Sequence, residues 1–338
     1  MNDLWKKITR LSIRSLSIIG LSKNAGKTTV CHALVQELKD HLRLGLVSIG
    51  VDGEERDHWS GLPKPPIYVS TGNIVATANT LFDQQAGNWE VLCHTGIHSI
   101  LGEIYLAKAK QDTYIKLAGI PTLSGIQKVL SQMDRWGVDL VLVDGAYDRR
   151  VSASPGVTDA SVLVVGASMG HSLQKIAAKV EETLHLFRLP ACEDEKVHLF
   201  MQKAIEENCL YAKSSERWKA LSYSSLLPMT QSEISSLSKY EGLIVSGALT
   251  DHNLRALLQK SPHLHIYVPD ATHLFVSLAT LRQFYRSGGK INVLKSINLL
   301  FLAINPVSPD GFSFNHEELK ERLTPICSPL PIVNLVRE

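Results

Sequence analysis

The run SLSIIG (15–20) is almost continuously apolar, shows no helical spacing and ends on glycine, which predicts a buried strand. From 27 to 40 the period lengthens. Val30, Ala33, Leu34, Glu37 and Leu38 recur at helical spacing and predict a helix with one apolar face. LGLVSIG (44–50) is again continuous and predicts a second buried strand. A strand–helix–strand unit this compact implies parallel strands joined by a right-handed crossover.

Further along, the rhythm changes. GLPKPPIYV is an extended, proline-rich lead-in. WEVLCH, GEIYLAKAK and TYIKLAG then predict short strands, so that about 61–120 reads as an insertion of mostly antiparallel strands. From about 123 the α/β alternation returns, with a helix over 124–136 and buried strands VDLVLVDG (138–145) and ASVLVVGA (160–167). SLQKIAAKVEETLHLF (172–187) carries Leu173, Ile176, Ala177, Val180, Leu184 and Phe187 on one helical face, with Ser172 placed to cap it. Residues 191–235 are polar and predict mostly helix, and alternation resumes from EGLIVSG (241–247) through INLLFLAIN. The expected organisation is α/β: a nucleotide-binding domain over 1–235 with a mostly parallel sheet and the β-rich insertion, then a smaller α/β domain over 236–338.

Composition narrows the function classes. In 338 residues, 44% hydrophobic content suffices for a buried core, and a net charge of +2 gives no strong field for nucleic acid or an anionic membrane. The five cysteines are scattered without a CxxC pair, the pattern of reduced thiols in a cytoplasmic protein. MNDLWKKITRLSIRSLSIIG does not read as a signal peptide, and no apolar stretch approaches the ~20 residues of a spanning helix.

The chemistry starts in SIIGLSKNAGKTTVCHAL (17–34), where a strand leads into a short polar loop and Gly-Lys-Thr-Thr opens a helix. Unpaired amides and the partial positive charge of a helix start attract phosphate. Gly26 lets the backbone approach closely, Lys27 would reach the terminal phosphates and Thr28 would ligate Mg²⁺. Lys23, Asn24, Ala25 and Thr29 complete the expected phosphate-contacting set. The spacing is irregular. In G-x-x-x-x-G-K-[ST] the first glycine would fall at position 21, which is leucine; Gly20 stands one residue early. A phosphate loop also needs a metal partner. VDLVLVDG supplies Asp144 at the end of an apolar strand, where ligands of open α/β sheets bind. SIGVDGEERD offers Asp52 first and Asp57 second as metal ligands, with Asp52 also a candidate for orienting the attacking group; a solvated acidic loop is the alternative.

Other features are weaker. Cys93, His94, His98 and Glu103 match no standard metal spacing, and His263 and His265 read as one polar face of a strand. Asp148, Arg149 and Arg150 follow the Asp144 strand and could touch phosphate or a partner. GASMGHS (166–172) occupies the place expected for a base-reading element and has no guanine signature, which leaves adenine as the expected base.

The loop resembles the variant loops of dethiobiotin synthetases and of the molybdopterin-guanine-dinucleotide adaptor proteins. Relatives of those proteins often carry an early loop lysine that reaches across a dimer; Lys23 sits one residue off that position, so a homodimer is one possibility and a solvated lysine the other. More of the chain carries a second resemblance. GLSKNAGKTT, SIGVDGEERD, GLPKPPIYVSTGNIVATANTLF, ILGEIYLAKAKQDTYIKLAG, VDGAYDRR and INLLFLAINPVSPDGFSFNHEEL together look like the KamB-like P-loop reactivase subunits of adenosylcobalamin-dependent lysine 5,6-aminomutase. That resemblance implies a P-loop ATPase that works with a MutS-like subunit to restore an aminomutase whose cobalamin is damaged. It implies ATP and Mg²⁺ held by Lys27, Thr28 and Asp144, with Asp52 as metal ligand or water orienter. Two other readings stay open. One is a biosynthetic enzyme of the dethiobiotin-synthetase type, with Lys64, Lys108 or Lys116 binding a carboxylate; Cys209 and Cys327 lack the setting of an amidase nucleophile. The other is a nucleotide-binding adaptor without turnover.

Overall fold

A computed structural model describes residues 4–50, 66–84, 86–145, 153–215 and 217–334. The chain divides into two compact units, one of Met1–Val180 with Asn298–Glu338 and one of Glu181–Ile297.

The first unit is built on a ten-stranded sheet. Its strands are β1 (Ser15–Gly20), β2 (Leu44–Ile49), β4 (Ile74–Ala78), β5 (Trp89–Ser99), β6 (Gly102–Ala109), β8 (Gly119–Ile120), β9 (Leu140–Gly145), β10 (Ala160–Gly166), β18 (Leu299–Asn305) and β19 (Ile332–Asn334). They run in the order β19-β18-β10-β1-β9-β2-β4-β6-β5, with β8 also on β2. All pairs from β19 to β4 are parallel, and β4–β6 and β5–β6 are antiparallel. The insertion is therefore continuous with the main sheet: β4 extends it in parallel beside β2, and the β5–β6 hairpin finishes it. β3 (Ile67–Val69) and β7 (Thr113–Ile115) form a separate antiparallel pair.

β1, β2, β9 and β10 are covered on both faces, which is why they read as unbroken apolar runs. On β9, Leu140 and Leu142 join a core with Val30, Leu34 and Leu38 of α2 (Lys27–Leu38). Val141 and Val143 point into a second core with Ile126, Val129 and Met133 of α4 (Leu123–Arg135). The buried stripe of α2 is Val30, Cys31, Leu34, Val35 and Leu38; Ala33 and Glu37, expected on that face, are only half-buried. α1 (Leu4–Arg10), α3 (Asn79–Asp83) and α10 (His316–Cys327) complete the unit, and α5 (Leu173–Phe187) follows β10. Ser172 Oγ lies 3.4 Å from the Lys175 amide, the expected cap of α5.

One expectation is corrected here. INLLFLAIN, assigned from sequence to the smaller C-terminal domain, is β18; it pairs with β10 through six residues and belongs to the first sheet. Residues 191–235, expected to be mostly helical and part of the first domain, lie within the second unit and include two strands.

That second unit has a five-stranded sheet in the order β12-β11-β13-β15-β17: β11 (Tyr211–Ser214), β12 (Arg217–Ala220), β13 (Gly242–Ile244), β15 (His265–Val268) and β17 (Lys290–Val293). β13, β15 and β17 are parallel. A short pair, β14 (Leu249–Thr250) with β16 (Leu274–Phe275), lies beside helices α6 (Glu195–Glu206), α7 (Gln231–Ser236), α8 (Asp251–Lys260) and α9 (Leu278–Arg286) in the chain order. His265 is the first residue of β15, and His263 precedes the strand, so the two do not share a strand face. Among the described residues no helix is long and apolar enough to cross a membrane.

Candidate functional site

The topology points to one edge. From β1 the chain passes through α2 to β2 on one side, and from β9 it crosses β1 to β10 on the other. Open α/β sheets bind ligands at the carboxyl ends of strands where the winding reverses in this way. Loop 20–28 lies there, between β1 and α2.

The loop is held from three sides. The Leu21 amide donates to the carbonyl of Val164 at 3.0 Å, which binds the loop to β10. The hydroxyls of Ser22 and Ser168 are 2.7 Å apart, so the segment after β10 grips the loop a second time. Asn305, the last residue of β18, lies against Gly26: a Cβ at position 26 would come within 2.8 Å of its Nδ2. Its Oδ1 accepts the Val307 amide at 3.1 Å, which fixes the amide orientation. A Cβ at Gly166 would sit 2.7 Å from the Ala25 carbonyl oxygen, so β10 also approaches the loop backbone to backbone. Asn24 is left-handed at φ 58°, a conformation asparagine tolerates.

Gly26 is the N-cap of α2, with φ 105° and ψ 20°, and no side chain caps the helix start. A Cβ there would be strained in the backbone and crowded by Asn305, so the position requires glycine. Lys27, Thr28 and Thr29 form the first turn. Ala25 is fully buried and Asn24 and Thr29 are exposed; Lys23, Gly26, Lys27 and Thr28 are half-buried.

Asp144, half-buried on β9, pairs across the sheet with Ile18 of β1 and Ser48 of β2. Its carboxylate is also close to Cys31. Burial first, and the charge of Asp144 second, push the Cys31 thiol far above its ordinary value. Thr28 and Cys31 are three residues apart on one helix and so share a face. Asp52, Asp57, Asp148, Arg149, Arg150 and Lys64 lie outside the described residues.

Of the weaker candidates, His94, His98 and Glu103 come together. His94 Nε2 and His98 Nδ1 lie 3.4 and 3.9 Å from the Glu103 carboxylate on the exposed β5–β6 hairpin. Among the described residues no group of three or more His, Cys, Asp or Glu could hold a metal ion. Lys108 pairs with Glu90 at 3.5 Å. Asn305 is the residue sequence reasoning missed. Its only trace is a single asparagine closing the apolar run LLFLAIN, with no spacing to mark it.

Neither comparison of the chain with protein-family models nor comparison with curated proteins gives a match.

Proposed function

We propose that this chain is a P-loop nucleotide-binding protein that binds ATP with Mg²⁺, hydrolyses it, and couples the nucleotide state to remodelling of a partner protein in the cytoplasm. The observation that carries this reading is the glycine-led start of α2 without an N-cap side chain, braced by β10 and β18, with Asp144 on the strand next to β1. A helix start without a capping side chain, in a loop that only glycine can close, fits a phosphate group better than a purely structural turn.

The residues divide the work. First-turn amides and Lys27 would bind the phosphates, and the Thr28 hydroxyl with Asp144 would hold Mg²⁺, whose charge would offset that of the terminal phosphates. A unit charge pair ~4 Å apart at an effective dielectric of ~20 is worth about 4 kcal/mol, the scale of the Lys27 contribution. Asp52 is assigned from sequence as a metal ligand or as the group that orients the attacking water. The partner assignment rests on the sequence resemblance alone: an adenosylcobalamin-dependent aminomutase, acted on together with a MutS-like subunit.

Phosphate release from ATP with Mg²⁺, and equilibrium nucleotide binding, test the proposal in wild type and Lys27→Ala. Hydrolysis that disappears in the variant is the expected result. Tight binding without hydrolysis in wild type would favour an adaptor; absence of binding would overturn the nucleotide reading.

A further inference from the structure

The starts of β1 and β9, at the end of each strand away from the Gly-Lys-Thr loop, border a cavity of about 250 Å³. Its floor is apolar: Val138, Val141 and Val157 line it and belong to the core under α4. Its lining also carries three charged residues, Arg14, Asp134 and Asp159.

These charges are fixed in place. Asp159 Oδ2 accepts the Arg14 amide at 2.8 Å, the Ser15 amide at 2.9 Å and the Ser15 hydroxyl at 2.9 Å, which commits that oxygen to the start of β1. Oδ1 of the same carboxylate has no hydrogen-bond partner among the described residues. Arg14 Nη2 donates to Asp134 Oδ1 at 2.6 Å and to the Val138 carbonyl at 3.2 Å; Nε and Nη1 make no hydrogen bond among the described residues. The wall that precedes β10 is tied to α4, where Gln127 Nε2 donates to the Gly156 carbonyl at 2.9 Å.

We propose that this cavity binds a free amino acid with an aliphatic side chain. An α-amino acid carries an ammonium and a carboxylate on one carbon. Asp159 Oδ1 complements the ammonium, and the remaining guanidinium donors of Arg14 complement the carboxylate. The three valines take the side chain. Alternatives of other chemistry fit less well. Two carboxylates to one guanidinium repel a polyanion, and an apolar floor beside a guanidinium offers nothing to a bare cation. Pockets for drug-sized ligands start at roughly 300 Å³, so a smaller metabolite suits this one. Because Asp159 and Arg14 are held by the fold before a ligand arrives, little ordering opposes binding. β1 spans six residues, about 20 Å, so this site is separate from the loop and does not rest on the nucleotide reading.

Titration calorimetry on the full chain tests this with four probes: L-leucine, isopentylamine (which lacks the carboxylate), isocaproate (which lacks the ammonium) and L-alanine (which lacks most of the side chain). Wild type should bind L-leucine about ten- to a hundredfold tighter than each of the other three. Arg14→Gln should remove the preference over isopentylamine. Asp159→Asn, which keeps an acceptor for the Arg14 and Ser15 amides, should remove the preference over isocaproate. Val157→Leu narrows the cavity with both charges intact; it should weaken L-leucine and leave L-alanine within about twofold, and with Arg14→Gln it carries the test if Asp159→Asn does not fold. Absence of L-leucine binding at millimolar concentration, equal binding of all four probes, or L-leucine affinity unchanged in Arg14→Gln and Val157→Leu overturns the proposal.

Discussion

The start of α2 and the helix starts of the second unit are built differently. In the second unit each helix begins on its own cap: Asp194 for α6, Thr230 for α7, Thr250 for α8 and Ser277 for α9 accept first-turn amides through their side chains. In the first unit Thr122 does the same for α4 and Asn315 for α10. α2 begins on Gly26 with no capping side chain, directly after the central strand β1. A cap oxygen occupies the donors that an anion would use, so a capped start is finished by folding; Gly26 supplies no such oxygen to α2. The proposed phosphate site thus falls on the one long helix with a described cap position that departs from the local rule.

Perturbing each side of this contrast gives graded outcomes. The largest is Lys27→Ala, which should lower triphosphate affinity by a factor on the order of a thousand, by the charge-pair estimate above, with little change in thermal midpoint. Leu34→Ala acts on the scaffold instead. Leu34 is completely buried under the sheet, and its truncation should cost about 2–5 kcal/mol of stability in denaturant unfolding. Thr250→Ala removes a finished cap in the second unit and should cost about 1 kcal/mol while leaving nucleotide affinity unchanged. A loss of nucleotide affinity in that variant would erase the distinction between capped and uncapped starts.

The smallest effect concerns pH. His32 on α2 accepts the Tyr68 amide at Nε2, 3.0 Å away, and so must be neutral there. Burial lowers its pKa below the usual histidine value, partly offset by a hydrogen bond to the Pro66 carbonyl. The unfolded chain then binds the proton more readily, so the stability linked to His32 is present above about pH 6.5 and is lost as pH falls from there toward the folded value. Unfolding midpoints measured between pH 7 and 5 should drop more in wild type than in His32→Gln.

Much of the first sheet was legible in the chain. SLSIIG, LGLVSIG, VDLVLVDG and ASVLVVGA announce β1, β2, β9 and β10 because strands buried on both faces need continuous apolar runs. Strand identity, however, does not fix strand partners. INLLFLAIN is plainly a strand, yet nothing in it says that it crosses the second unit's sequence to pair with β10. The same gap hid Asn305, which acquires its place against Gly26 only through that pairing. In the candidate site, Gly26, Lys27, Thr28 and Asp144 were visible because motif and strand context are local.

The position of β18 has a consequence for biosynthesis. The loop leaves the ribosome long before Asn305, which packs on it. At translation rates of about 5–20 residues per second, tens of seconds separate the two. During that interval the whole of the second unit is made, and the early strands lack the neighbour that completes their sheet beside β10. A chain cut short anywhere between α2 and β18 would carry every residue of the Gly-Lys-Thr loop and still lack the brace on Gly26.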